Sequence, residues 1–331
     1  MKNAWRTIPQ SDHYHRERFV NLSNTPMMAK GVSMLKVMRA MMRRPKLSRP
    51  QHPLPFVRTD LRNPPAGKPT VTWFGHSSYL IQFRGYNILV DPVFSGYASP
   101  VAGFVKAFEG SNEYQPSDFP PIDLMVITHN HYDHLDKGTI RKFSSTTKRF
   151  LTGLGVGRDL AAAGVDPSLI EESDWWEEYS PAEGIRLQCT PARHFSGRGL
   201  VRGGSLWSSF ALNFYGHNIF IGGDSGYDTF FTTIGERCGP FELAILECGQ
   251  YDQFWPDIHM MPEQTALAAT QLRAAALLPV HWGKFTLANH VWDEPVKRVL
   301  VAAAGLQLPV VTPMIGERFM VGGPYPAKPW W

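Results

Sequence analysis

Several features that mark other protein classes are scarce or absent in this sequence of 331 residues. Its three cysteines, Cys189, Cys238 and Cys248, lack C-x-x-C spacing, which argues against a disulfide framework. No run of 18 apolar residues occurs, so we expect no transmembrane helix. The N-terminus has no apolar segment followed by a small-residue cleavage site, so we expect no secretory signal. These absences predict a cytoplasmic protein.

Two catalytic motifs are also missing. The sequence contains no G-x-S-x-G, the nucleophile elbow of many serine hydrolases. It also lacks paired H-x-K-x-x-x-x-D motifs, which mark phospholipases D that use a covalent histidine intermediate. If the protein is a hydrolase, it is expected to work without a protein nucleophile.

The charges are distributed unevenly. Residues 1–65 carry 13 Lys/Arg and 3 Asp/Glu, whereas residues 66–331 carry 20 and 26. We therefore predict a basic N-terminal extension over 1–65, packed on or near a main domain over 66–331. A nucleic-acid partner is disfavoured, because the basic excess is confined to the extension and aromatic residues do not interleave with it.

An amphipathic helix is predicted over residues 27–44. Six of the 12 methionines lie there with apolar residues at helical spacing, and five Lys or Arg side chains lie away from that face. Two interpretations stay open. The helix makes peripheral contact with an anionic membrane, or it packs on the main domain and buries its apolar face.

The rest of the chain alternates β-rich runs with helical stretches. Strands are predicted at 185–190, 206–214, 218–222 and 243–247, and helices at 262–275 and 294–304. Strands between flanking helices, with polar clusters at the strand ends, predict a layered α/β or α+β architecture.

The most informative segment is T-H-N-H-Y-D-H-L-D, residues 128–136. It contains His129, His131, Asp133 and His134 directly after the apolar run L-M-V-I. Imidazole and carboxylate groups are ligands of zinc and similar first-row metals. A metal site is therefore predicted where a buried strand ends; the alternative is a polar surface loop.

Three further residues follow β-rich runs in the same way. They are His194 in T-P-A-R-H-F-S, Asp224 in I-F-I-G-G-D-S-G and His281 in L-L-P-V-H-W-G. Each alone also fits a turn or core position. Together they predict additional ligands of the same metal site.

The combination of H-x-H-x-D-H, a later His, G-D and H-W-G resembles the metallo-β-lactamase superfamily. The resemblance implies an αβ/βα sandwich with metals at one edge of its two sheets. It assigns His129, His131 and His194 to one metal, assigns Asp133, His134 and His281 to the other, and places Asp224 between them. All seven positions are filled in this sequence.

Residues 71–295 resemble N-acyl-phosphatidylethanolamine-hydrolysing phospholipase D and its bacterial relatives. The similar motifs include W-F-G-H-S-S-Y-L-I-Q-F-R-G-Y-N-I-L-V-D-P-V-F-S and H-W-G-K-F-T-L-A-N-H-V-W-D-E-P. The resemblance implies a phospholipid or related anionic ester as substrate, and two Zn²⁺ ions, with iron or manganese as alternatives. A hydroxide bridging the metals would attack phosphorus. A lactonase or another small-ester hydrolase with the same metal centre is the alternative function.

Catalytic roles are predicted for Asp133, Asp224 and His259. Asp91, in V-D-P after a strand, is predicted to hold a ligand histidine by its ring N–H; a simple turn role is its alternative. His76 is expected to orient a ligand or line the cleft. His290 is expected beside the site, near the substrate.

Overall fold

The computed structural model describes residues 8–101, 103–199 and 201–331. Residues 1–7 of the predicted extension lie outside the described residues. The helices are α1 (Met34–Met42), α2 (Lys137–Phe143), α3 (Gly157–Ala161), α4 (Phe230–Arg237), α5 (Pro262–Gln271) and α6 (Glu294–Gly305). Among the described residues, no helix has the length and apolar character needed to cross a bilayer.

The first sheet has seven strands in the order β17-β3-β4-β5-β6-β7-β8, with β5 to β8 parallel. Its strands are β3 (Thr70–Trp73), β4 (Tyr79–Phe83), β5 (Tyr86–Val90), β6 (Ile122–Ile127), β7 (Thr147–Gly153), β8 (Ile170–Ser173) and β17 (Arg318–Met320).

The second sheet has six strands in the order β16-β15-β14-β13-β10-β9, with β14 to β16 parallel. Its strands are β9 (Glu178–Ala182), β10 (Ile185–Thr190), β13 (Ser209–Phe214), β14 (His217–Ile221), β15 (Leu243–Glu247) and β16 (Leu277–Val280). Two small hairpins complete the strands, β1 (Tyr14–His15) with β2 (Arg18–Phe19), and β11 (Gly197–Arg198) with β12 (Val201–Arg202).

Strand β6 shows how the layers are built, because successive strand residues point to opposite faces of a sheet. Leu124 and Val126 join the core cluster that also contains side chains of the second sheet. Met125 and Ile127 join a separate cluster with Ile140 of α2 and other helix residues. Helices therefore cover the outer face of the sheet while the sheets pack on each other. The predicted αβ/βα sandwich is confirmed.

Most predicted elements of the main domain have close counterparts. The strands predicted at 185–190 and 243–247 are β10 and β15 with the same bounds. Helix α5 ends at Gln271, earlier than the predicted 275, and α4 was not predicted. Helix α4 has eight residues, four of them buried.

The extension follows the rim of the main domain. Backbone hydrogen bonds join Phe19 to Gly203, Ala29 to Phe254, Leu47 to Trp292, Leu54 to Glu109 and Val57 to Ile315, with N···O distances of 2.7–3.0 Å; these five pairs run from β2 to the region before β3. The described part of the extension therefore touches four separate loops and the segment before β17.

The helix predicted over 27–44 is shorter in the structure. Helix α1 spans Met34–Met42, and its N-terminus is capped by Ser33, whose side chain accepts a hydrogen bond from the Lys36 amide. Gly31 adopts φ +79°, a left-handed conformation that interrupts a helix. Residues 27–32 thus follow an irregular path, which a pattern of spacing alone does not distinguish from a helical turn.

Candidate metal centre

The predicted ligands come together at one edge of the sandwich, beyond the carboxyl ends of strands from both sheets. Strand β6 leads to the histidine cluster, β14 leads to Asp224 and β16 leads to His281. The sheets are joined at this edge by two backbone hydrogen bonds: His76 N to Trp282 O (2.8 Å) and His281 N to His76 O (2.9 Å).

Two glycines bring Asp224 to this edge. A Cβ atom on Gly222 would lie 2.5 Å from the Ile245 oxygen, and one on Gly223 would lie 2.5 Å from the Ser208 oxygen. Since real Cβ contacts are not that short, only glycine fits where β14 ends. The G-G-D sequence therefore allows the carboxylate to approach between neighbouring strands.

The first ligand group comprises His129, His131 and His194. The distance from His131 Nδ1 is 2.9 Å to His129 Nε2 and 3.2 Å to His194 Nε2. The side chains of His129 and His194 are almost wholly shielded from solvent, and that of His131 is partly exposed. Three imidazole nitrogens that converge at this spacing suit one cation.

The second ligand group comprises Asp133, His134 and His281, together with His76. Their donor atoms all lie within 4.8 Å of one another. His76 Nε2 lies 2.9 Å from Asp133 Oδ2, so this predicted orienting residue contacts a predicted ligand directly.

Asp224 lies between the two groups. Its Oδ2 atom is 3.9 Å from His129 Nε2 and 3.2 Å from His134 Nε2, and its Oδ1 atom is 3.2 Å from His281 Nδ1. A carboxylate in this position can contact a cation in either group.

Buried polar atoms show that the residues fit bound cations. His134 Nε2, His281 Nε2 and Asp224 Oδ1 are buried without a well-oriented hydrogen-bond partner in the described part of the chain. Burying a polar atom without a hydrogen-bond partner costs free energy, and most buried polar atoms in proteins have a partner. They belong to three predicted ligands and face the same cluster, which is the expected arrangement for metal donors.

The protonation states of the histidines also suit metal binding. Burial lowers the pKa of His129 and His194 well below the usual range and that of His131 to about 4, so these rings are neutral at pH 7. Burial has the same effect on His134, but the carboxylates around it, Asp224 foremost, raise its pKa well above normal. A bound cation would replace that proton, since metal binding releases protons from its ligands.

Asp91 lies beside His134, one of the predicted ligands. His134 Nδ1 donates to Asp91 Oδ2 at 2.7 Å, and Thr128 donates to Asp91 from its amide (2.9 Å) and its hydroxyl (2.6 Å). Thr128, which sequence reasoning missed, also lies 3.1 Å from His129 Nδ1. The Asp91 carboxylate therefore fixes the His134 ring with Nε2 toward the cluster.

Three residues in or beside this second group have strained backbones. The φ angles are +52° at His76, +40° at Asp91 and +70° at His281. Non-glycine residues in this region cost on the order of 1 kcal/mol or more and persist where the surrounding structure enforces them. These three positions lie where the two sheets meet beside the predicted ligands.

His259 also reaches the cluster, because one ring nitrogen lies within 4.8 Å of donor atoms of His194 and Asp224. Its Nδ1 lies 3.1 Å from Oε1 of Glu247, the buried last residue of β15. The contact of Glu247 with His259 was not predicted. The sequence does carry a signal for it, because a carboxylate ends the otherwise apolar run L-A-I-L-E. The same oxygen accepts from Met260 N at 3.0 Å, which fixes the turn that carries His259.

His290 lies in a different setting from the predicted one. Its Nδ1 donates to the Val291 oxygen (2.8 Å), its Nε2 accepts from Gln250 N (3.0 Å), and its ring stacks on Tyr251. Since both ring nitrogens bond to the backbone, His290 stabilises a loop. It is not part of the donor clusters found among the described residues.

Comparisons with known proteins agree with this geometry. Residues 86–282 match the family described as the beta-lactamase superfamily domain. An uncharacterized protein of Mycobacterium tuberculosis is 39% identical over 327 residues, covering 97% of this chain and 88% of that protein. A metal-dependent hydrolase of Nitratidesulfovibrio vulgaris is 30% identical over 237 residues, covering 67% of this chain and 89% of the relative.

Two further similarities bear on activity and fold. The mitochondrial N-acyl-phosphatidylethanolamine-hydrolyzing phospholipase D of Saccharomyces cerevisiae is 33% identical over 242 residues, covering 70% of this chain and 51% of that protein. A metallo hydrolase structure from Ignicoccus hospitalis superimposes with a TM-score of 0.58 at 22% identity, covering 76% of this chain and 98% of the other. The structural likeness shows the shared fold.

Proposed function

We propose that this chain, which belongs to the beta-lactamase superfamily and is a metal-dependent hydrolase, is a two-zinc phosphodiesterase that cleaves N-acyl-phosphatidylethanolamine-like phospholipids. One observation carries the proposal: two groups of buried donors share one carboxylate, Asp224. We propose zinc as the metal because five of the seven predicted ligands are imidazoles. The similarity to the yeast phospholipase D supports the substrate class.

The residues would bind the two ions as follows. His129, His131 and His194 would hold one ion, Asp133, His134 and His281 the other, and Asp224 both. When bound, the ions would activate a water and neutralise charge on the phosphodiester. Attack of the water oxygen on phosphorus would form one P–O bond as the bond to the head-group oxygen breaks.

His259 is positioned to supply a proton to the departing head-group oxygen. Burial favours its neutral form, but the Glu247 carboxylate outweighs burial and raises the pKa of His259 to about 9. Glu247 occupies Nδ1, so Nε2 is the nitrogen left for the substrate. Transfer of this proton would release the head group as an alcohol and leave phosphatidate.

A peripheral membrane contact through α1, within residues 27–44, is part of the proposal. Met34, Leu35, Met38 and Met42 are 54–78% exposed, and within α1 only Val37 is buried. Exposed apolar side chains on a short helix, with five Lys or Arg side chains within residues 27–44, suit the surface of an anionic bilayer. This exposure favours membrane contact over packing of the apolar face on the main domain.

The test is to assay zinc-loaded protein against N-acyl-phosphatidylethanolamine in vesicles and against a homoserine lactone. We expect phosphatidate to be released from the phospholipid. Turnover of the lactone alone would overturn the substrate proposal and favour the lactonase alternative.

A further inference from the structure

The extension supports one metal ligand through a single side chain. The Asn21 amide oxygen accepts from His194 N (3.0 Å) and Trp207 Nε1 (3.0 Å), and its nitrogen donates to His194 O (2.8 Å). Both backbone groups of His194 are therefore bonded to one residue 173 positions earlier in the chain. The amide substitutes for a paired strand beyond the end of β10.

The residues after Asn21 bind Arg193, the residue that precedes His194. Arg193 donates to Asn24 O (2.8 Å) and to Thr25 Oγ1 (3.0 Å), and its guanidinium pairs with Asp257 at 2.9 Å. The loop that carries Asp257 also orients the ligand ring, because His194 Nδ1 donates to Ile258 O at 2.8 Å. The extension thus braces the segment that places His194.

The other ligand group has its supports inside the main domain. Asp91 holds His134, and Ser77 Oγ lies 3.0 Å from His281 Nδ1. The extension would therefore act on one group of ligands and leave the other to the main domain.

We propose that Asn21 is a positioning residue for His194, through which the extension sets the metal affinity of the His129, His131 and His194 group without supplying a ligand. The inference rests on the proposed two-metal centre. Removing the Asn21 amide leaves the His194 amide and carbonyl without their partner and frees the segment to move. Residues that orient metal ligands typically contribute about 10–100-fold to metal affinity.

The experiment compares Asn21→Ala with Asn24→Ala in the full chain. Asn24 is the same residue type three positions away, with an exposed side chain; its contact with Arg193 uses only the backbone oxygen. Zinc content is measured by mass spectrometry after dialysis against a series of zinc buffers, and metal-free proteins are melted in parallel. We expect Asn21→Ala to lose one of two ions, with about 10–100-fold weaker affinity, and Asn24→Ala to match the wild type.

A third variant keeps the test decisive if Asn21→Ala does not fold. Asn21→Asp retains the volume and the acceptor oxygen but places a carboxylate oxygen against His194 O in place of the donor, so we expect a loss from the same group. An Asn21 variant that folds and binds two ions with unchanged affinity would overturn the inference, as would equal weakening of both ions. Metal content is independent of the substrate cleaved, so failure of the phospholipid assay leaves this result unaffected. Wild-type protein that binds fewer than two ions would overturn the two-metal premise and the inference together.

Discussion

The two groups of predicted metal ligands differ in what holds them in place. The second group is supported from the first sheet and its loops, where Asp91 fixes His134 and Ser77 contacts His281. The first group depends on a ligand, His194, whose backbone is bonded to Asn21 of the extension. We therefore expect the extension to affect metal binding by the first group, while the supports of the second group lie in the main domain.

The largest expected effect comes from the residue that the two groups share. Asp224→Ala should remove both ions and reduce turnover by more than the roughly 100-fold that outer residues cost, because the carboxylate faces both groups. Metal content and phosphatidate release measure the result. Retention of two ions with normal turnover would show that the groups do not share this ligand.

The next effect should be confined to the second group. Asp91→Asn replaces the acceptor of the His134 Nδ1–H by an amide that can donate to that nitrogen, which favours the ring tautomer with a proton on Nε2. We expect about 10–100-fold weaker binding of one ion, measured by zinc titration with a competing chelator. The first group should retain its ion; loss of both ions together would break the proposed division.

Glu247 lies outside both groups, and its replacement should leave metal content at two ions. Glu247→Gln removes the charge that holds the pKa of His259 near 9. We expect kcat to fall by less than the ~10²-fold that removal of a general acid costs, with the alkaline limb of the pH profile moved to lower pH. A pH profile identical to the wild type would exclude the proposed proton transfer from His259.

Substitutions in α1 should have the smallest effect on the metal centre. They distinguish the membrane contact proposed for the extension from its proposed support of His194. Leu35→Glu should weaken binding to anionic vesicles about 10–100-fold, since burying one large apolar side chain contributes roughly 1.5–3 kcal/mol and each 1.4 kcal/mol is about a factor of ten. Both ions should stay bound. Val301→Glu on α6 is a matched control, because Leu35 and Val301 are 75% and 77% exposed. Equal vesicle binding by the two variants would remove α1 as the contact surface.

The sequence was informative about the ligands and the nearest support. The seven predicted ligands follow strands, and Asp91 was predicted because it follows a strand in a recognisable V-D-P motif. Asn21 was not predicted, since its role depends on a contact across 173 positions that no local pattern records. The limits of α1 were missed for a related reason, because Gly31 and Ser33 set the start of the helix within a continuous amphipathic pattern.

The most direct test of the two-group account is zinc anomalous diffraction from crystals of Asn21→Ala and Asp91→Asn, each equilibrated at a zinc concentration that fills both positions of the wild type. The account predicts that Asn21→Ala keeps its peak beside His134 and loses density beside His194, and that Asp91→Asn shows the reverse. Equal loss at both positions in both variants would contradict it.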